Sequence, residues 1–291
     1  MRKLGQATNS GPPTPAGSSN IMSTNKPFNT LKLPVLDGPS FLYFNLNNAK
    51  LVATKTAAFS LPAGYTCPGA CDCLAWFDRE TNKLVDGDDA LFRCFAASIE
   101  AAFPSVRKSV DRNLAILKNA KTTEAMTEII DLSLPSRRFE NIRIHADGDF
   151  FHQAYFLAWM ETARRNPERL FYAYTKSLPM WVKLMNLIPD NFVLTASRGG
   201  KWDNLIERHN LRSCTVVYHP DEAEALGLEI DHDDSHARST DGNDFALLLH
   251  GAQSKGSKAS AALKRMRSDG VEYSYGKASA ARQARKVQAT K

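Results

Sequence analysis

The sequence contains no apolar run long enough to cross a bilayer, and its start, MRKLGQATNSGPPTP, lacks the apolar segment that follows the basic residues of an export leader. Neither membrane insertion nor secretion is expected, and a reducing cytosol is the expected compartment. Cysteine is scarce, at five residues in 291. The body of the chain has no excess of positive charge. The net charge is +6, yet residues 1–30 carry three basic and no acidic residues and residues 251–291 carry ten against two, which leaves −5 on residues 31–250. Basicity here belongs to the ends: the C-terminal tail reads chiefly as solvated, with contact to nucleic acid or another protein as the lesser reading, and the body does not read as nucleic-acid-binding.

The few cysteines are crowded. Cys67, Cys71 and Cys73 lie within seven residues, and Cys94 follows after twenty more. Disulfides between Cys67 and Cys71 or Cys71 and Cys73 need unusually tight loops, so metal ligation is the leading reading. Structural zinc generally uses two separated cysteine pairs, whereas three ligands on one loop match the local concentration used for iron–sulfur clusters. The expected cofactor is an iron–sulfur cluster of the 4Fe-4S type, with zinc or unligated thiols as the alternatives. Three thiolates leave one iron open to a substrate or cofactor; a fourth from Cys94 closes the shell and favours a structural or electron-transfer role. Cys214, alone in an apolar strand, reads as a small buried hydrophobe.

Residues 1–30 are rich in Gly, Pro, Ser, Thr and Asn and read as disordered. Residues 31–250 read as one α/β domain, and 251–291 as a basic tail with helices at 259–267 and 278–286. Two extended stretches, Phe41–Leu46 and Leu51–Phe59, flank a turn at Asn47–Asn48 and lead into the cysteine loop. A helix is expected over Ala90–Phe103, which places Cys94 about one turn inside it. Pro104 breaks that run before helices over Ser105–Asn119 and Thr123–Leu132. From Arg138 short apolar strands alternate with amphipathic helices, which predicts a partial (βα) barrel of mainly parallel strands behind an N-terminal cysteine-bearing segment.

Binding groups in such folds gather at the carboxyl ends of the strands. Those exits carry Asp147 and Asp149, then Thr175 and Lys176, then Ser197 and Arg198, then His219; turns are also polar for no functional reason. Lys176 suits an anionic ligand. Ser197-Arg-Gly-Gly200 offers backbone N–H groups to a phosphate or carboxylate. The stretch from Asp231 to His236, with two histidines and three carboxylates, suits either a divalent ion or a solvated acidic loop. His250 reads as a core or cap histidine.

A tight three-cysteine loop ahead of βα units resembles the radical S-adenosylmethionine superfamily, although its C-x3-C-x-C spacing is one residue shorter than the usual C-x3-C-x2-C. Ala146-Asp-Gly-Asp149 is similar to that family's Gly-Gly-Glu stretch. The resemblance implies a cluster on Cys67, Cys71 and Cys73, with Asp147, Asp149, Lys176, Ser197 and Arg198 holding S-adenosylmethionine or an unknown substrate. A second resemblance covers residues 40 to 265. Phe59–Cys71, His145–Phe151, Phe171–Lys176, Leu194–Gly200 and Phe245–Gly251 look like a bacteriophage family named by a numbered gene product. It implies a phage protein acting inside a bacterium. Three functions are weighed: a radical S-adenosylmethionine-like enzyme; a non-catalytic module stapled by an iron–sulfur or zinc site on all four cysteines, with a basic tail that contacts nucleic acid or a host protein; and an interaction protein without metal.

Overall fold

Alternation of large apolar residues builds the centre of the molecule. In the computed structural model, which describes residues 27–36, 38 and 41–271, Ile142 and Ile144, Phe171 and Ala173, and Phe192, Leu194 and Ala196 point to one side of adjacent strands. These strands are β5 (Asn141–Ile144), β6 (Leu170–Thr175) and β7 (Phe192–Ser197), followed by β8 (Ser213–Val217) and β9 (Phe245–Leu248). With β1 (Phe44–Asn45) and β2 (Thr56–Phe59) they form one seven-stranded sheet in the order β1-β2-β5-β6-β7-β8-β9. Only the β1–β2 pair is antiparallel. A separate hairpin joins β3 (Ala75–Asp78) to β4 (Lys83–Asp86), an element absent from the sequence expectation.

The parallel strands follow one another across the sheet without reversal. Right-handed crossovers that all step in one direction leave their helices on one face. On that face lie α3 (Pro104–Ala120), α4 (Thr123–Ser133), α5 (Gln153–Arg165), α6 (Leu178–Leu184) and α7 (Asn204–His209), packed around Trp159, Tyr155, Phe156 and Leu114. The opposite face holds Tyr172, Cys214 and Phe245, covered by Ala237 of the short helix α9 (Ser235–Arg238). Cys214 is thus packed as the small hydrophobe it was expected to be. The sheet is open: β1 and β9 occupy opposite edges and no barrel is closed.

Several boundaries differ from expectation for identifiable reasons. Asn48 does not form a hairpin turn. Its side chain accepts the Lys50 N–H and caps α1 (Ala49–Val52), so the stretch from Leu51 is split between helix and strand. The helix expected from Ala90 starts five residues later as α2 (Phe95–Ala102), with Cys94 at its N-cap. The N–H groups of Leu91 and Phe92 are spent on the carbonyl of Asp72, at 2.8 and 3.0 Å, and cannot enter a helical ladder. Pro104 opens α3, where its missing N–H costs nothing.

The helix expected at 259–267 runs over Lys258–Ser268 as α10, following α8 (Pro220–Ala225), and buries Ala259, Leu263 and Met266 against Val217, Leu248 and Leu249. The folded body therefore includes α10. Residues 1–26 of the segment expected to be disordered, and the helix expected at 278–286, lie outside the described residues.

Candidate functional site

Beyond Phe59 the chain runs across the carboxyl ends of the strands as a roof. Leu61 N–H donates to the Asp147 carbonyl at 2.9 Å, and Ala63 N–H donates to the buried Glu100 carboxylate at 2.7 Å. The cysteine loop then lies against the exits of β6 and β7. Ala70 forms an antiparallel bridge with Gly200, Asp72 N–H donates to Gly199 O, and Lys201 N–H donates to Gly69 O, the last two at 3.0 Å. Contact is so close that a Cβ at Gly69 would run into the Lys176 carbonyl. Gly199 has φ +83, and a Cβ there would lie 2.7 Å from the Asp72 carboxylate. These glycines dock the roof. The Gly199 and Gly200 N–H groups, expected to cradle an anion, instead donate to the Asp203 carboxylate at 2.7 and 2.9 Å.

Beneath the roof is a cavity of about 240 Å³. Cys67, Cys73 and Cys94 line it from above with Phe92 and Phe95. Asp147, Asp149, Lys176 and Ser197 line it at the strand exits, and Arg143, Tyr174 and Leu247 from the sheet face opposite the helices. Asp231, His232 and Asp234 form its floor. Seven of the nine residues singled out from sequence thus surround one space. Cys71 and Arg198 do not line it. Arg198 donates to Ser213 Oγ at 3.0 Å and pairs with Glu207 at 2.6 Å.

The thiols of Cys67, Cys73 and Cys94 lie within electrostatic reach of one another. Cys71 has Asp72, Asp89, Lys201 and Lys176 as its charged neighbours instead. Burial pushes Cys94 up to about 12 and raises Cys67 and Cys73 as well, so without a cation these groups are neutral thiols at physiological pH. The Cys94 sulfur faces the N–H groups of Ala96 and Ala97 at the start of α2 without a close capping bond. Partial positive charge there favours a thiolate. Among the described residues no three His, Cys, Asp or Glu side chains are gathered tightly enough to grip a single metal ion.

At the exits the carboxylates do different work. Both oxygens of Asp149 are engaged: Oδ1 accepts from Thr175 Oγ1 at 2.6 Å and Phe150 N–H at 2.7 Å, and Oδ2 accepts from Lys176 N–H at 2.9 Å. Lys176 Nζ donates to Ser197 O at 2.7 Å, Ser197 Oγ at 3.0 Å and the Arg198 carbonyl. Asp149 therefore ties β5 to β6, and Lys176 ties β6 to β7. Asp147 is hydrogen-bonded to Ser60 and also borders a second cavity of about 160 Å³ between β1, α2 and α3. Burial raises both carboxyls to about 6, against the pull of their hydrogen bonds.

The floor is part solvated and part buried: His232 and Asp233 are exposed, whereas Asp231 and Asp234 are buried. Asp231 accepts the N–H groups of Asp233 and Ala237 at 3.1 and 3.2 Å, and Asp234 accepts from Arg143 at 2.8 Å and Tyr172 Oη at 2.9 Å, with Lys50 4.0 Å away. His236 stacks on Phe245. His250 packs at a tilt against Phe95 with ring centres 4.6 Å apart, and burial lowers it to about 4, which keeps it neutral. His219, at the β8 exit, caps α8 by accepting Asp221 N–H and does not line the cavity. Sequence reasoning missed Arg143, Lys50 and Tyr174. Arg143 between two core isoleucines carried a signal, because a period-two strand turns it to the face away from the helices.

The model of the family described as Gene product 88 matches residues 40–269. The chain is similar to the Gene 88 protein of Mycobacterium phage L5, at 31% identity over 108 residues that cover 35% of this chain and 45% of that protein. It is also similar to the Gene 88 protein of Mycobacterium phage D29, at 28% identity over 130 residues, 38% of this chain and 54% of that one. The chain thus spans about half the length of the curated relatives it matches. No solved structure matches it. With a family match that takes in the cysteine loop, every strand and α10, the chain belongs to the Gene product 88 family.

Proposed function

We propose that this protein carries an iron–sulfur cluster in its roofed cavity and acts as a radical S-adenosylmethionine-like enzyme, its open sheet serving as a partial (βα) barrel around the site. The observation that carries the reading is the position of the cysteine segment, which closes a cavity at the carboxyl ends of the parallel strands. The donor set suits the group. Three half-buried cysteines at one end of a cavity, one of them facing helix N–H groups, match thiolate ligation.

When bound, the cluster would supply single electrons to a molecule held in the cavity. The chain's own groups supply the rest. Phe92, Phe95, Leu247 and Leu248 line the cavity with apolar surface that restricts water. Asp149 and Lys176 hold the strand exits in register, so that Asp147 and Ser197 keep fixed positions against a bound cofactor. Asp147, with a pKa raised to about 6 by burial, can give or take a proton in the physiological range.

The test is anaerobic purification with iron, sulfide and zinc analysis, then an assay for reductive cleavage of S-adenosylmethionine by release of methionine. Iron with matching sulfide and methionine release is the expected result. One equivalent of zinc without sulfide would sink the proposal and favour the stapled module. Cluster without cleavage would leave an electron-transfer or structural protein.

A further inference from the structure

We infer that the protein ligands of the cluster are Cys67, Cys73 and Cys94, and that Cys71 is not one of them. This rests on the cluster reading above, and differs from both sets that the sequence suggests, the loop cysteines alone and all four together. The loop does not present its three thiols alike. Cys67 and Cys73 turn under the roof into the cavity, whereas Cys71 is absent from the cavity wall. The third thiol in the cavity comes from the N-cap of α2, twenty intervening residues beyond the loop in sequence.

Two tethers bring Cys94 there. Leu91 and Phe92 N–H groups bond to the carbonyl of Asp72, inside the cysteine loop, which fixes the approach to α2. Arg93 pairs with Asp86 at 2.6 Å, while Gln253 Oε1 accepts the Arg93 N–H at 2.8 Å. The N-cap residue is thereby anchored on both the roof and the chain after β9. Cys71 has the opposite setting. Its N–H side belongs to the turn that meets Gly200, and its carbonyl accepts Leu74 N–H at 3.0 Å; this turn brings Cys73 back beneath the roof. The short C-x-C step is then no defect, because its first cysteine need not reach the metal.

Ligation forms three sulfur–iron bonds, with each thiol releasing its proton to solvent and no change in sulfur oxidation state. A four-iron cluster held in this way keeps one iron without a protein thiolate, available to a molecule in the cavity.

The experiment compares the labelling rate of each cysteine by iodoacetamide, read by mass spectrometry, in the wild-type chain loaded anaerobically with iron and sulfide and in the same chain stripped of metal. Cys67, Cys73 and Cys94 should label about tenfold or more slowly when loaded, and Cys71 at an unchanged rate. Protection of Cys71, or equal labelling of Cys94 in both states, overturns the ligand set. In parallel, Cys71→Ala should keep the iron and sulfide content of the wild type, whereas Cys94→Ala and Cys94→Ser should lose most of it while retaining the wild-type far-ultraviolet circular dichroism. A wild-type chain that takes up no iron and sulfide defeats the cluster reading itself, a result separate from a cluster held by a different set.

Discussion

Asp234 sits 4% exposed beneath the cavity with Arg143, Lys50 and the Tyr172 hydroxyl around it. Burial pushes its pKa up, but the two cations and the phenol outweigh that and hold it below the usual carboxylate range. Asp234→Ala leaves Arg143 facing the cavity without its carboxylate, so a loss of about 3 kcal/mol is expected, read by urea unfolding. His145 makes a second prediction. It is buried, with Nε2 2.9 Å from Tyr155 Oη, and burial lowers it from 6.5 to about 3. The folded chain binds fewer protons here than the unfolded one, so this contribution is complete above pH 6.5 and is lost as pH falls from there towards 3. His145→Asn, which tolerates the φ of +62, should reduce the wild-type loss of stability between pH 6.5 and 5, measured by urea unfolding at each pH. Little of this was legible in the sequence. A lone Arg in a strand and a run of acids in a loop both read as solvated until the facing element is known.

From Arg138 to Val217 the alternation of strands and helices follows from periodicity and caps, whereas α8, α9 and β9 were not anticipated. Between Leu51 and Cys94 sequence pattern was a poorer guide. There the backbone serves docking rather than regular structure, and a donor spent on a distant carbonyl leaves no mark in local periodicity. The close approach of Gly69 to Lys176 is the critical contact of that region. Gly69→Ala should lower stability by about 1–3 kcal/mol through overpacking, checked by chemical unfolding. Should the roof lift to make room, iron uptake will fall in the same variant.

At the scale of the whole molecule, the parallel order of the strands was legible because βα units dictate it, whereas the return of residues 229–238 beneath the sheet was not. Nor was the attachment of α10, whose sequence is as basic as the segment that follows it. Two truncations separate these regions. Ending the chain before α10 uncovers Val217, Leu248 and Leu249 and removes the burial of Leu263 and Met266, a loss of about 3 kcal/mol or more, seen as a lower Tm. Removing only residues 272–291 should leave Tm unchanged. If the basic tail engages nucleic acid, that second truncation alone will abolish salt-sensitive DNA retention. Among the described residues no helix is long and apolar enough to cross a membrane.

Both margins of the sheet are already engaged. The Asn113 side-chain amide accepts the Tyr43 N–H at 2.8 Å and donates to the Tyr43 carbonyl at 3.0 Å beside β1, while Glu229 and Asp231 bond the two backbone groups of Ala246 on β9. At these positions an incoming chain finds no vacant ladder to extend. Strand addition is therefore disfavoured at Tyr43 and Ala246, where a partner chain would have to displace bonds the fold already makes.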